Sequence, residues 1–201
     1  RTKKYAPRIC RITVALGLLA GAYYQATYGP ELPLSDIYGA AAPLVAGLIA
    51  IVGVCMLFGV QVRAAAFVAL ALFAISVLFN GVYMLTYANY SGEFLVLALI
   101  GVYASKKHVA NKWSRYEPLI IRVSFGISLF YSSLYAKILH NGLALHVATL
   151  PLSGHAHGVA YYFGFEPHFM VLGAAIIEII IAVFFIVGFE IRWTCIFLEF
   201  W

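Results

Sequence analysis

The chain has 201 residues, 64% of them hydrophobic and only 10% charged, with a mean hydropathy of +0.93. A soluble domain carries about 25% charged residues, so this balance excludes a water-soluble fold and calls for lipid around the apolar surface. The net charge of +5 does not point to nucleic acid, because the basic residues flank the apolar runs instead of forming a patch.

Several uncharged stretches reach about 20 residues, the length needed to cross a hydrocarbon core of about 30 Å. Strand-type alternation is absent, so an outer-membrane barrel is excluded. Helices satisfy their own backbone hydrogen bonds in lipid, and the fold class expected is all-α, a polytopic transmembrane helix bundle. In chain order the runs predict six complete helices and the start of a seventh. The first covers residues 9–28, with Tyr23, Tyr24 and Tyr28 at its far end. It is full length and no small-residue cleavage site follows, so it does not read as a cleavable signal peptide. Residues 40–60 and 64–85 come next, joined by the tight turn Gln61-Val62-Arg63. A shorter helix over 87–104 opens on the polar stretch from Tyr87 to Glu93, expected at the interface. Residues 118–139 and 168–189 complete the set, and a further helix begins near Trp193. The chain starts without Met and stops at Trp201 inside an apolar run, which suggests a fragment of a longer protein.

With the N-terminus placed in the cytoplasm, Arg1, Lys3, Lys4, Arg8, Arg11, Arg63, Lys106, Lys107, Lys112, Arg115, Arg122 and Arg192 all fall inside. Lys137 alone falls outside. The opposite orientation would translocate nearly every cation, against the positive-inside rule, so the expectation is a multi-pass protein of the inner (plasma) membrane. Cys10, Cys55 and Cys195 have no CxxC spacing and read as small buried apolar residues. Tyr at helix ends forms an interfacial belt, and Glu31, Asp36, Glu93 and Glu166 read as solvated loop or helix-start charges.

The second half parallels the first. Gly59-Val-Gln-Val-Arg63 matches Gly188-Phe-Glu-Ile-Arg192, and Arg11-Ile-Thr-Val-Ala-Leu-Gly17 resembles Arg122-Val-Ser-Phe-Gly126, an Arg ahead of a small-residue helix in each. An even helix count in the first copy means that both copies enter from the same side. The domains expected are residues 1–110 and 111–201, two parallel-oriented four-helix repeats with the second one truncated. Arg11 and Arg63 are 52 positions apart, whereas Arg122 and Arg192 are 70 apart. The extra residues fall in an outer loop over residues 140–167.

The order Arg122, Gly126, Ser133, Lys137, a long outer loop, Glu178 and then Gly188-x-x-x-Arg192 resembles the DoxX/DoxD-type four-helix membrane proteins and their MauE-like relatives. The likeness is best over residues 118–201. The first half shares the layout, but Ala26 and Ile49 stand where Lys137 and Glu178 would fall. The resemblance implies a link to membrane redox work, including quinone reduction.

Glu178 lies mid-helix among apolar residues, where an ionisable group costs at least about 2.5 kcal/mol to insert. It must face the bundle interior, either as a proton-carrying or quinone-binding acid or as a structural carboxyl. Lys137 shares a helical face with Ser133 by i, i+4 spacing. It either snorkels to the outer interface or meets Glu178, a headgroup or substrate. Counted by position along the helices, Glu178 is central and Lys137 near the edge, which argues against a direct pair. His140, His146, His155, His157 and His168 gather around the outer loop. His155-Ala-His157 could offer two imidazoles to a metal, but no established zinc spacing is present, and interfacial histidines without a ligand remain the competing account. Tyr135, His140 and His168 are the candidate cofactor contacts, with quinone ahead of metal. The loop is too apolar for free solvent and is expected on the membrane surface or folded back onto the bundle. Two functions follow. One is a subunit of a respiratory or other membrane oxidoreductase, with a quinone or metal site near the outer face. The other is a structural or assembly subunit without a cofactor, packed against other membrane proteins. A solute transporter fits less well, since few polar residues lie inside the helices.

Overall fold

The computed structural model describes residues 6–26, 33–100, 113–150, 158–162, 164–191 and 194–195. Among them the chain is helical, with no strand beyond one isolated bridge between Ala26 and Pro33. Four helical stretches are long and apolar enough to cross a membrane: Leu34–Phe58, Val62–Ile100, Glu117–Leu139 and Pro167–Val187. The chain divides into two compact units, Arg1–Ser124 and Phe125–Trp201.

The first unit holds α1 (Ala6–Tyr23), α2 (Leu34–Tyr38), α3 (Ala42–Phe58), α4 (Val62–Asn80) and α5 (Ala88–Ile100). Helix α1 packs on α3, α3 on α4, α4 on α5, and α5 returns to α1, closing a ring of four. Small residues permit the close approach: Ala15, Ala66 and Ala69 are buried in a core with Val14, Met56, Phe73, Phe94 and Leu97. At Gly53, an added Cβ would lie 3.3 Å from the Ala15 carbonyl oxygen. The outward faces are apolar too, with Leu44, Ile51, Phe58, Leu78 and Phe79 exposed. Water tolerates no apolar surface of that extent; acyl chains do.

The break expected between the helices over 64–85 and 87–104 is present, and the lead into α3 differs from expectation. Val62–Ile100 is 39 residues of nearly continuous helix, about twice what one crossing needs. It breaks where Gly81 takes φ +61°, a left-handed backbone that a Cβ disfavours, and a 3-10 segment over Gly81–Tyr87 then turns the chain so that α5 lies back on α4. The polar stretch from Tyr87 to Glu93, expected to open the helix over 87–104, supplies the first turns of α5 from Ala88, with Ala88 and Gly92 buried. Helix α3 is also preceded by α2 and a 3-10 turn, which begin that helical stretch at Leu34 rather than near residue 40. At the other end α3 stops at Gly59 (φ +75°), and Gln61 (φ +48°) opens α4. Arg63 Nη2 donates to the Ile100 carbonyl at 3.1 Å, tying the start of α4 to α5.

The second unit begins within α6 (Glu117–Ser132), which continues as a π-helical segment over Ser133–Leu139. Then come α7 (Gly142–Thr149), α8 (Val159–Tyr162) and α9 (Pro167–Val187). Gly126 lets its helix approach α9: an added Cβ would sit 2.9 Å from the Ala182 carbonyl oxygen and 2.7 Å from Ile186 Cγ1. Phe125 and Phe185 meet edge to face with centroids 5.0 Å apart. The described part of the outer loop folds back. Helix α7 packs on both α9 and the π segment, and Ala148, Ala160 and Val171 form a small core with Leu145 and Met170. Helix α9 ends at Gly188 (φ +86°), with Glu190 at φ +42°. Arg192 and Trp193, where a further helix was expected to start, lie outside the described residues.

Candidate functional site

Helix α9 sorts its residues by period. Phe169, Leu172, Ile176, Ile180, Val183 and Val187 are exposed, while Val171, Ala175, Glu178, Ala182 and Phe185 are buried. Glu178 therefore sits on the inward stripe, set there by the 3.6-residue repeat. Opposite it stands the π segment. Ser132 and Ser133 both place their hydroxyls on the Leu129 carbonyl, at 3.0 and 2.9 Å. Back-bonding of this kind competes with the main-chain ladder and loosens a helix. The ladder then changes step, and His140 N–H donates to the Tyr135 carbonyl five residues back at 2.8 Å.

The result is a buried polar cluster inside an apolar unit. Ser133 is wholly buried and its Oγ lies 2.6 Å from Glu178 Oε2. The Lys137 ammonium pairs directly with Glu178 Oε1, with the Lys137 side chain 28% exposed and that of Glu178 11%. Position along the helix argued against this pair; side-chain direction brings it about. Each Cα–Cβ bond leans toward its own helix N-terminus, and the two helices run antiparallel. The Lys137 stem thus leans toward the middle of α9, and the Glu178 side chain leans toward Lys137. Lys137 does not snorkel outward.

The Ser133 hydroxyl can serve Glu178 as donor or as acceptor. With Glu178 ionised, the Ser133 hydroxyl donates to Oε2 and the ammonium answers Oε1. With a proton on the carboxyl, Oε2 can donate to Ser133, whose own proton turns to the Leu129 carbonyl 2.9 Å away. Ser133 can thus answer Glu178 Oε2 in either state.

The other predicted site residues do not converge on this point. Tyr135 and His140 stack on each other with centroids 4.3 Å apart and His140 exposed. His168 Nδ1 lies 3.1 Å from Glu166 Oε1 at the exposed start of α9. Ten residues, about 15 Å of helical rise, separate His168 from Glu178. His155 and His157 lie outside the described residues. Among the described residues no three His, Cys, Asp or Glu side chains group closely enough to hold a metal. Ser133 was legible as a face-mate of Lys137 and as a position in the family-like order; its contact with Glu178 depends on the packing of α9.

The chain matches no family model, no curated protein and no solved structure.

Proposed function

We propose that this chain is a DoxX-like polytopic protein of the inner (plasma) membrane, N-terminus cytoplasmic, serving as a subunit alongside a membrane oxidoreductase. In this reading the Lys137–Glu178–Ser133 cluster is its chemical centre and takes a quinone-class ligand. The observation that carries it is the buried carboxylate held between an ammonium and a hydroxyl, a set that can donate to a quinone oxygen and exchange a proton with it. Lys137, the more exposed of the pair, is the side from which a ligand headgroup would arrive, with Tyr135 and His140 nearby in sequence. The exposed apolar faces of α3, α4 and α9 support the membrane setting.

The two-repeat organisation belongs to the same proposal. Its support is local geometry: Gly59 and Gly188 share one left-handed backbone, and so do Gln61 and Glu190. The small-residue contacts Ala15–Gly53 and Gly126–Ala182 also occupy matching positions in the two halves. Ala26 and Ile49, the counterparts of Lys137 and Glu178, are both buried, so only the second half carries the charged pair.

Equilibrium binding of a short-chain quinone to the purified protein in mild detergent tests the ligand. Lys137→Met and Glu178→Gln should each weaken binding about tenfold, the equivalent of one hydrogen bond of about 1.4 kcal/mol. Unaltered binding in both would remove the cluster from ligand recognition.

A second reading has its own observation. The two charges satisfy each other, and Ser133 fills a remaining acceptor position, so the cluster can serve as a clamp between α9 and the π segment with no ligand. A preparation free of quinone, with unchanged turnover of the parent complex in Glu178→Gln, would favour this structural subunit.

A further inference from the structure

One acid of the first unit stands outside the candidate site. Glu93, expected as a solvated helix-start charge, lies instead in the second turn of α5, within the membrane-length stretch Val62–Ile100, and is half-buried. Residues three and four apart share a helical face, and on that face Val96 and Leu97 are fully buried. Tyr90, one turn earlier, packs beside α1, where a Cβ added at Gly17 would lie 3.7 Å from its ring. Cys10, two turns back from Gly17 on α1, is close enough to feel the Glu93 charge. Glu93 is therefore bracketed between Gly17 and Cys10, level with the middle of α1 and away from either water face.

Nothing in its surroundings answers the carboxylate. Among the described residues Glu93 forms no ion pair and no hydrogen bond. On α1 the neighbouring titratable group is Cys10, and Arg11 beside it makes no ion pair with Glu93. The only charge on α4 is Arg63, whose Nη2 is held by the Ile100 carbonyl seven residues along α5. On α5 itself there is Tyr90. From α6 come Glu117, a second acid acting on Cys10, and Ser124, which meets the bare backbone of Gly92 and gives its hydroxyl to the Ile121 carbonyl at 3.0 Å. Arg122 of α6 forms no ion pair with Glu93 either. Glu178 has its ammonium; Glu93 has none. An intramembrane carboxylate without a cation is costly, and a bound proton removes the charge.

We propose that Glu93 is a membrane-embedded proton site, a carboxylic acid that takes up and releases a proton inside the first unit and is reached from lipid. This goes beyond the quinone reading and does not depend on it, since Lys137 and Glu178 belong to the other unit.

Dicyclohexylcarbodiimide, an apolar reagent that consumes protonated carboxyls, tests it on the protein in mild detergent. The carboxyl proton passes to one carbodiimide nitrogen and the carboxyl oxygen bonds to the central carbon. Migration of the acyl group to nitrogen then leaves a stable N-acylurea, read by peptide mass spectrometry. Wild type should carry this adduct on Glu93, less of it as pH is raised, and Glu93→Gln should lose it entirely. A water-soluble carbodiimide with glycine ethyl ester should amidate the exposed Asp36 and Glu166 and pass Glu93 by. No adduct on Glu93, labelling indifferent to pH, or equal labelling of Glu93 and the ion-paired Glu178 would overturn the proposal. So would amidation of Glu93 from water as ready as that of Asp36. Should Glu93→Gln fail to fold, the wild-type adduct and its pH dependence still decide.

Discussion

Replacing Lys137 with Met leaves Glu178 facing Ser133 alone. Breaking a buried ion pair by removing one member costs about 3–5 kcal/mol. The 28% exposure of Lys137 and the remaining Ser133 hydrogen bond place this case near the lower bound, about 3 kcal/mol. For a chain of this size that is a fall in melting midpoint of about 6–12 °C. Glu178→Met should cost less, about 1–2 kcal/mol, because the orphaned ammonium can swing toward the polar interface on its flexible stem. The double variant Lys137→Met/Glu178→Met replaces a pair by packed hydrocarbon and should unfold within about 1 kcal/mol of wild type. The coupling between the two sites is then about 3–5 kcal/mol. Unfolding in mild detergent by titration with sodium dodecyl sulfate, followed by far-UV circular dichroism, measures all four proteins. Two harmless single variants, or losses that simply add in the double, would refute the pairing and the side-chain geometry behind it.

Gly126→Ala should destabilise by about 2–3 kcal/mol, since its methyl meets the Ala182 backbone oxygen at 2.9 Å and overpacking costs about that much. Gly53→Ala, whose nearest neighbour is the Leu19 side chain at 3.0 Å, should cost less; the same denaturation assay ranks them. Gly59→Ala and Gly188→Ala force a Cβ into left-handed backbone and should each lose about 1–2 kcal/mol, whereas Gln61→Gly at φ +48° should be neutral or gain a few tenths. In a cysteine-free background, a single cysteine at Arg115 should be labelled by a membrane-impermeant maleimide only from the cytoplasmic side, and one at His146 only from the other. Labelling of both from one side would refute the crossing between them, and the swapped pattern would reverse the proposed topology.

Much of the architecture can be read from local chemistry. The uncharged runs mark the membrane-length helices, and the paired Gly-x-x-x-Arg patterns fall where the backbone turns left-handed at Gly59 and Gly188. Glu178 stands out because a lone acid among Ile and Val has to be turned inward. The partner of Glu178 was harder to find. Position along a helix locates Cα, yet the ammonium of Lys137 lies several bonds away in a direction set by helix polarity. The π segment adds a change of step that only the Ser132–Ser133 back-bonding hints at. The break at Gly81–Tyr87 falls close to where the sequence separates the helices over 64–85 and 87–104, whereas the docking of α7 depends on contacts with α9 far along the chain. The stacked Tyr135 and His140 are five residues apart, a spacing that brings side chains together only once the π step is known.

The two stretches joined by Lys137 and Glu178 differ in how readily each would enter a bilayer during synthesis. Pro167–Val187 has a mean hydropathy of 2.9 and can absorb one acid among its many Ile, Val and Phe residues, whereas Glu117–Leu139 reaches only 1.4. The weaker stretch is made first and carries the cation, so it gains its counter-charge only when the later one emerges. Residues 117–139 would therefore linger at the insertion machinery until α9 arrives, and the pair would be released into lipid as a hairpin. A nascent chain halted before Glu178 should remain accessible at Lys137, and one extended past Gly188 should not.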